Sequence, residues 1–474
     1  MAEALTVVAH PPHSHPHPPP VDASEFDKLR QYLLEQSHRC TRAPQDRFEH
    51  SWLAPMPLSP HTEAVLRARA AQGAAPGSLA QAADGFKTGD YSMGLFHHDA
   101  SEAAIELCRH PELRDAAAGS LLCLLDCAEP SGLVHRTELP HKSREAEPSK
   151  PVLAQFAARV SRALGDSAPA WLEKHRVFDR VVRFVEWTEH HGTGLHGLFL
   201  THSSLQSGFD SDVLTASLPD RTVEGPDTNA FMVREYRALG ELARALGRRG
   251  DAERWDARAS RLCTLMERLL FVEDERGGSY GALQWRHGAG SLDGEWVGAP
   301  GEDGRIRPFQ SWITLLPLYA GVPSPERARK VVARLLDERG YWGPRGVRTV
   351  PRDDPFFHQA PRVLLYDHKR QSRGPVSNWS GPVWVLSSYY LCKGLMRYGF
   401  LAQARELALK TARMLARDLE ATGRLHECYD DEGRGLWPAA PQATFISWNV
   451  LSLTMLRQLV PEVAQKWAAG PEKH

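Results

Sequence analysis

About a dozen stretches of this chain repeat apolar residues at i, i+3, i+4 spacing, the signature of helices with one buried face. They include FDKLRQYLLEQS (26–37), TEAVLRARAAQ (62–72), SEAAIELCRH (101–110), ELRDAAAGSLLCLLDCAE (112–129), PVLAQFAARVSRALG (151–165) and WLEKHRVFDRVVRFVEWTEHH (171–191). Further along come 229–248, 251–271, 324–339, 381–399, 401–423 and 444–460. Several follow one another across short polar breaks such as GRRGDA and YGFLA, and few stretches alternate with period two. Helices in hairpin pairs with longer Gly/Pro/Trp-rich loops between pairs predict an all-α fold, a single (α/α)6 barrel with long loops over its pocket. No repeat of fixed length is visible, although an α-solenoid of irregular repeats competes with the barrel. The expected domain covers residues 40–465. Residues 1–39 are read as a disordered His/Pro-rich tail plus a first helix, and 466–474 as a C-terminal tail. The long polar segment 273–308 reads as a lid or an insertion.

Charge narrows the functional classes. Lys plus Arg (57) nearly balances Asp plus Glu (58), so no strong field exists to gather nucleic acid or an anionic membrane. A small, neutral or weakly charged substrate fits better. No run of 18 apolar residues occurs, and the N-terminal residues lack a basic stretch followed by an apolar one, so neither a membrane span nor a secretory signal is expected. Seven scattered cysteines suit a reducing, cytoplasmic setting, and Cys123 with Cys127 at helical spacing reads as core packing. His10, His13, His15 and His17 read as part of the solvated leader rather than a metal site. No cofactor and no metal are expected.

The loops carry the chemistry. Thirteen Trp residues are present, many in or beside loops, where an indole face stacks on the apolar face of a sugar ring as readily as it fills a core. Three constellations stand out. In Ser207-Gly208-Phe209-Asp210-Ser211-Asp212 a glycine permits a sharp turn that aims a carboxylate, although an aspartate in such a loop often only caps or turns the chain. In Leu425-His426-Glu427-Cys428-Tyr429, Glu427 stands apart from the acidic residues 430–432, which read as a solvated turn. Ser377-Asn378-Trp379-Ser380-Gly381-Pro382-Val383-Trp384 reads as the opening of a helix with Gly-Pro at its first positions.

Taken in order, SGFDSD, SNWSGPVW, YYLCKGLMRYG, HECYDDEGRG and the late Phe445-x-Ser447-Trp448 resemble the inverting α-glycosidases of glycoside hydrolase family 63 and their bacterial mannosylglycerate and glucosylglycerate hydrolase relatives. Trehalases are more distant. Leu95-Phe96-His97-His98-Asp99 is similar to the family's aromatic-Trp-Asp turn, and Glu147–Val152 to its Ser-Gln-Pro-Pro segment, so the likeness runs from about residue 90 to 450. The resemblance implies that Asp210 is the general acid and Glu427 the general base, with about 6.5–9.5 Å between them for the attacking water. It implies that Asp99 holds sugar hydroxyls and that His98, Asn378, Trp379, Trp384, Tyr429 and Trp448 shape the pocket. Burial against aromatic residues is expected to raise the Asp210 pKa.

The chain departs from the family pattern at Ser211 and Asp212, so Asp212 is a second candidate for the acid or a substrate contact. Lys150 stands where the family has Gln, which suits an anionic aglycone such as glycerate. Two other readings use the same barrel. One is a sugar epimerase with bases drawn from His196, His202 and His426; the other is a carbohydrate-binding relative that has lost the chemistry.

Overall fold

The structure, a computed structural model, describes residues 21–58, 60–71, 92–143, 147–216, 220–284, 295–296, 298–300, 306–357, 379–437 and 443–469. The His/Pro-rich leader and Asn378 lie outside the described residues.

The chain is mostly helical. The helices that organise it are α1 (Asp27–Cys40), α2 (His97–Leu107), α3 (Pro111–Asp126), α4 (Leu153–Leu164), α5 (Val177–Gly192), α6 (Pro226–Ala245) and α7 (Arg249–Leu269). After them come the short α8 (Pro317–Ala320), then α9 (Pro325–Leu335), α10 (Val385–Arg397), α11 (Leu401–Thr422), α12 (Leu451–Leu459) and α13 (Pro461–Ala469). Two populations differ in burial. In α10 the residues Val385 to Cys392 are buried without a break, and α2 and α6 are similarly enclosed on nearly all sides. By contrast α7 buries only Ala252, Trp255, Ala259, Leu262 and Met266, a single stripe at spacings of three and four. A helix apolar all round belongs inside, and a striped one outside.

The packing follows this division. Helix α2 touches α4, α4 touches α6, α6 touches α8, α8 touches α10, α10 touches α12, and α12 returns to α2. The outer partners lie against them: α3 on α2, α5 on α4, α7 on α6, α11 on α10 and α13 on α12; α3 is itself buried from Ala116 to Leu125, where the Ser51–Leu53 segment also packs on it. The first helix, α1, belongs to the packed body. Phe26, Leu29 and Leu33 are buried, Tyr32 donates to Thr444 at 3.0 Å, and Glu25 pairs with Arg413 on α11.

Strands are short and sit in the loops. One sheet joins β1 (Leu95–Phe96) to β2 (Thr137–Leu139); another joins β3 (Leu200–Thr201) to β4 (Val223–Glu224). The early part of segment 273–308 is ordered rather than lid-like: Phe271–Asp274 and Gly277–Tyr280 form a hairpin, and Leu283–Gln284 pairs with β4. The Gly381-Pro382 expectation is also corrected. Val383–Trp384 (β5) pairs with Cys428–Tyr429 (β6), so helix α10 begins only at Val385. Gly381 lies at φ +132°, outside helical space.

Ring closure depends on a close approach at Gly394, where an added Cβ meets Leu318 Cβ at 2.8 Å and the Leu318 backbone at 3.2 Å. Gly394→Val is expected to destabilise the fold by about 1–3 kcal/mol, the range for overpacking a filled core. Thermal or denaturant unfolding checks this; an unchanged midpoint would mean that α8 and α10 do not need that contact.

Candidate active site

The functional side chains come from segments that run into the N-termini of inner helices. Asp99 sits in the first turn of α2, Phe209 and Asp210 precede α6, Trp379 and Trp384 precede α10, and Glu427 and Trp448 precede α12. Helix N-termini favour negative charge, which suits a cluster of carboxylates at this end of the ring.

The segment carrying Asp210 is fixed from several sides. Ser203 caps the short helix Ser204–Ser207 by accepting from Gln206 N, and Gly208 then turns the chain at φ +69°. A Cβ at Gly208 would meet His98 Nδ1 at 2.8 Å, so the turn is shaped for glycine twice over. Lys150 donates to the Ser207 carbonyl, and its ammonium lies 3.4 Å from the centre of the Phe209 ring and 4.2 Å from that of Phe231. Ser211 Oγ accepts from Trp379 N at 2.8 Å, and Ser380 donates to the Ser211 carbonyl at 2.8 Å. Phe209 packs against Trp312 (4.7 Å) and Trp379 (4.8 Å), which also stack on each other, so the residue immediately before Asp210 is fixed by packing.

Glu427 is held by a second network. Asp418, on α11, accepts from the Tyr429 hydroxyl at 2.9 Å and lies 2.8 Å from His426 Nδ1. His426 N donates to the same tyrosine oxygen at 2.9 Å, and Asn449 donates to the His426 carbonyl at 2.9 Å. These contacts leave Glu427 only 7% exposed, with Oε2 lacking a hydrogen-bond partner among the described residues.

Electrostatics joins the two halves. Burial, then the charge of Asp99, then that of Asp210 push the Glu427 carboxyl well above the usual glutamate range. Burial likewise lifts Asp99 to about 7, against the pull of Ser447, Arg136 and Trp448. Asp99 and Asp210 therefore both act on Glu427, and the three carboxyls form one electrostatic unit. Arg136 stands beside them, 3.7 Å from Asp210 Oδ1.

Several expectations change. Asp210 is not sealed by aromatic residues: its side chain is 20% exposed and faces Arg136. Asp212 is no substrate contact. It is fully buried, accepts from Leu214 N at 3.0 Å and from the Ser311 hydroxyl, and burial lifts it to about 7. Lys150 does not await an anionic aglycone, because it is 2% exposed and committed to Ser207 and two phenyl rings. Tyr429 points its hydroxyl at Asp418 and its ring is enclosed. Trp379 and Trp384 are also enclosed, stacked 3.8 Å apart, and act as the wall behind Phe209 and Trp448. His98, held neutral mainly by burial, bonds Tyr390 at 3.0 Å and packs edge-on against Phe209 and Phe231.

Sequence reasoning missed Arg136. It lies in no recognisable motif, and its position comes from long-range backbone pairing: its carbonyl accepts from His97 N at 3.1 Å, and its N–H donates to the Glu147 carbonyl at 2.9 Å. Among the described residues no group of His, Cys, Asp and Glu is arranged to hold a metal ion, and no helix is long and apolar enough to cross a membrane.

The model of the mannosylglycerate hydrolase MGH1-like glycoside hydrolase domain matches residues 50–437, most of the chain and both carboxylate loops. The chain belongs to this family. A mannosylglycerate hydrolase of Rubrobacter radiotolerans is 29% identical over 186 residues, 39% of this chain and 35% of the relative. Mannosylglycerate hydrolase MGH2 of Selaginella moellendorffii is 33% identical over 108 residues, 22% of this chain and 18% of the relative. The matched regions thus span about a third or less of those relatives. The glycoside hydrolase family 63 mannosylglycerate hydrolase of Thermus thermophilus, solved with glucose, superposes with a TM-score of 0.59 at 19% identity, over 91% of this chain and 100% of that one. Neutral trehalase Nth1 of Saccharomyces cerevisiae superposes with a TM-score of 0.56 at 15% identity, over 79% of this chain and 73% of that one. At these identities the likeness to solved structures is one of fold.

Asp212 and Asp210 are separable by substitution. Asp212→Asn keeps an acceptor for Leu214 N and is expected to retain turnover. Because Asp212 is raised in the folded protein, its contribution is fully present below the unfolded aspartate pKa and is lost as pH rises through about 7. The stability difference between wild type and Asp212→Asn should therefore shrink between about pH 4 and pH 8, as read by denaturant titrations. Loss of turnover in a folded Asp212→Asn would instead make Asp212 the acid.

Proposed function

We propose that this protein is an inverting α-glycosidase acting on a small α-glucoside or α-mannoside whose aglycone carries a carboxylate. The observation that carries the reading is the meeting of Asp210 and Glu427 in one electrostatic unit, each delivered by a separately braced loop. The helix ring with its outer partners supports an (α/α)6 barrel with this cluster at the N-terminal ends of its inner helices.

In this mechanism Asp210 is the general acid that delivers a proton to the glycosidic oxygen of the leaving group. Glu427, whose burial and carboxyl neighbours favour its neutral form in the free protein, must lose that proton before it acts; as base it then draws a proton from water as that water attacks the anomeric carbon from the opposite face. A single displacement then inverts the anomeric configuration. The unpaired Glu427 Oε2 is a buried acceptor without a donor, which a water or a sugar hydroxyl satisfies. Asp99, in the first turn of α2, holds sugar hydroxyls, and its charge helps to raise Glu427. Arg136, on the Asp210 side, faces the leaving group, and a guanidinium there pairs naturally with a glycerate-type carboxylate. The Rubrobacter and Selaginella relatives are both mannosylglycerate hydrolases, which agrees with an anionic aglycone.

The epimerase reading loses ground because two of its candidate bases are engaged. His196 Nδ1 bonds the buried Glu224, and His426 Nδ1 bonds Asp418.

A proton NMR time course with mannosylglycerate, glucosylglycerate and the matching glycerol glycosides tests the proposal. The β-anomer of the free sugar should appear first, and the glycerate conjugates should be preferred. Arg136→Gln should erase that preference by about 10- to 100-fold, the size of a hydrogen bond to a charged group. Early α-anomer, or equal use of glycerol and glycerate conjugates by the wild type, would contradict it.

A further inference from the structure

A cleft of about 600 Å³ lies outside the ring, between one face of α11 and the loop that follows α9. Six cations line it: Arg345, Arg348 and Arg352 from the loop, and Lys410, Arg413 and Arg417 from the helix. Among the described residues two carboxylates, Glu338 and Glu406, share the lining. None of these residues belongs to the hydrolytic site.

The cations differ in what already satisfies them. Arg348 is bound to Asp431 at 2.8 and 3.0 Å, and Arg413 to Glu25 at 2.8 and 3.1 Å. Lys410 lies 3.7 Å from Glu406 and 3.4 Å above the Trp342 ring, and burial there pushes its ammonium down to about 8. Arg352 is mostly exposed, 3.9 Å from an Asp431 oxygen already shared with Arg348. Arg345 makes its hydrogen bond to a neutral group, the Glu432 carbonyl, at 3.3 Å. Arg417 is exposed and has no carboxylate partner among the described residues. After internal pairing, positive charge remains in excess along both walls.

The aromatic content selects among anions. Trp342 is 7% exposed, its indole N–H is committed to Glu406 at 3.0 Å, and Lys410 covers one face. Among the described residues of the lining no aromatic face remains to stack a base, so the cleft is poorly suited to nucleotides or single-stranded nucleic acid, which rely on such platforms. Guanidinium forks on two walls instead match the oxygens of a compact phosphate group.

We propose that this cleft is a binding site for a small polyanion of the phosphate class, such as a phosphorylated sugar or pyrophosphate, held by Arg345 and Arg417 across the gap and by Arg352 at its mouth. Arg348 links the cleft to the segment that carries Glu427, since its partner Asp431 lies just past β6, the strand that begins after Glu427.

Isothermal titration of the full chain with pyrophosphate at low salt tests the site, with citrate as a carboxylate polyanion of similar charge. Saturable binding at one site per chain is expected, weakened at least about tenfold in the double variant Arg345→Gln/Arg417→Gln, whose two changes lie at the surface and whose unfolding midpoint serves as the folding control. Binding unaltered in that variant, no saturable heat, or citrate binding as tightly as pyrophosphate would each overturn the proposal. So would binding that survives in the double variant and disappears in Arg136→Gln, because the anion would then occupy the hydrolytic site. The test reads binding alone, so its failure is distinct from failure of the hydrolase reading.

Discussion

Placing the Glu427 carboxyl out of water with one oxygen unpaired is unfavourable by several kcal/mol for an ionised group and much less for a neutral one. Two further carboxyls nearby add to the penalty on the charged form. An arrangement of this kind persists only if the surrounding structure holds it, and the surrounding structure is built to do so. Asp418 grips both His426 and Tyr429, one on each side of Glu427, while β5 pairs with the strand that begins immediately after it. The opposing loop is held as firmly, by Lys150 from below and the Trp379-Ser380 turn from the side.

The helix ring makes this placement possible. Inner helices buried on nearly every side present their N-termini to one end, and the short strands knit the incoming segments together before each helix begins. The aromatic residues contribute rigidity more than sugar contact. Trp312, Trp379 and Trp384 stack on one another with their rings enclosed, and Phe209 is wedged against them, so the backbone at Asp210 is set by packing. Interiors packed at such density transmit position and resist drift.

The helical scaffold was legible in the chain because amphipathic spacing is local information, and the family was legible because the loops carry short sets of residues in a fixed order. What the sequence concealed came from distant pairings. Arg136 reaches Asp210 only because its backbone is tied to His97 and Glu147. Asp212 looked like a neighbour of the acid, but one residue on from Ser211 the chain has turned into the core, where Ser311, 99 residues away, receives it. Lys150 read as a cation suited to an anionic aglycone, yet it closes on Ser207, 57 residues later. The helix expected to open at Gly381-Pro382 is delayed by a strand, Val383–Trp384, whose partner Cys428–Tyr429 arrives only after two further helices.

The central claim is that Asp210 supplies the proton to the leaving group while Glu427 activates water. Turnover of Asp210→Asn and Glu427→Gln on a natural-type glycoside and on an aryl glycoside with a highly acidic leaving group tests it most directly. Both variants should lose about 10²- to 10⁴-fold or more on the natural-type substrate, as expected for loss of general acid or base catalysis. The aryl glycoside, which needs no proton, should restore much of the rate to Asp210→Asn and none to Glu427→Gln. Rescue of Glu427→Gln instead, or wild-type turnover in either variant, would contradict the account.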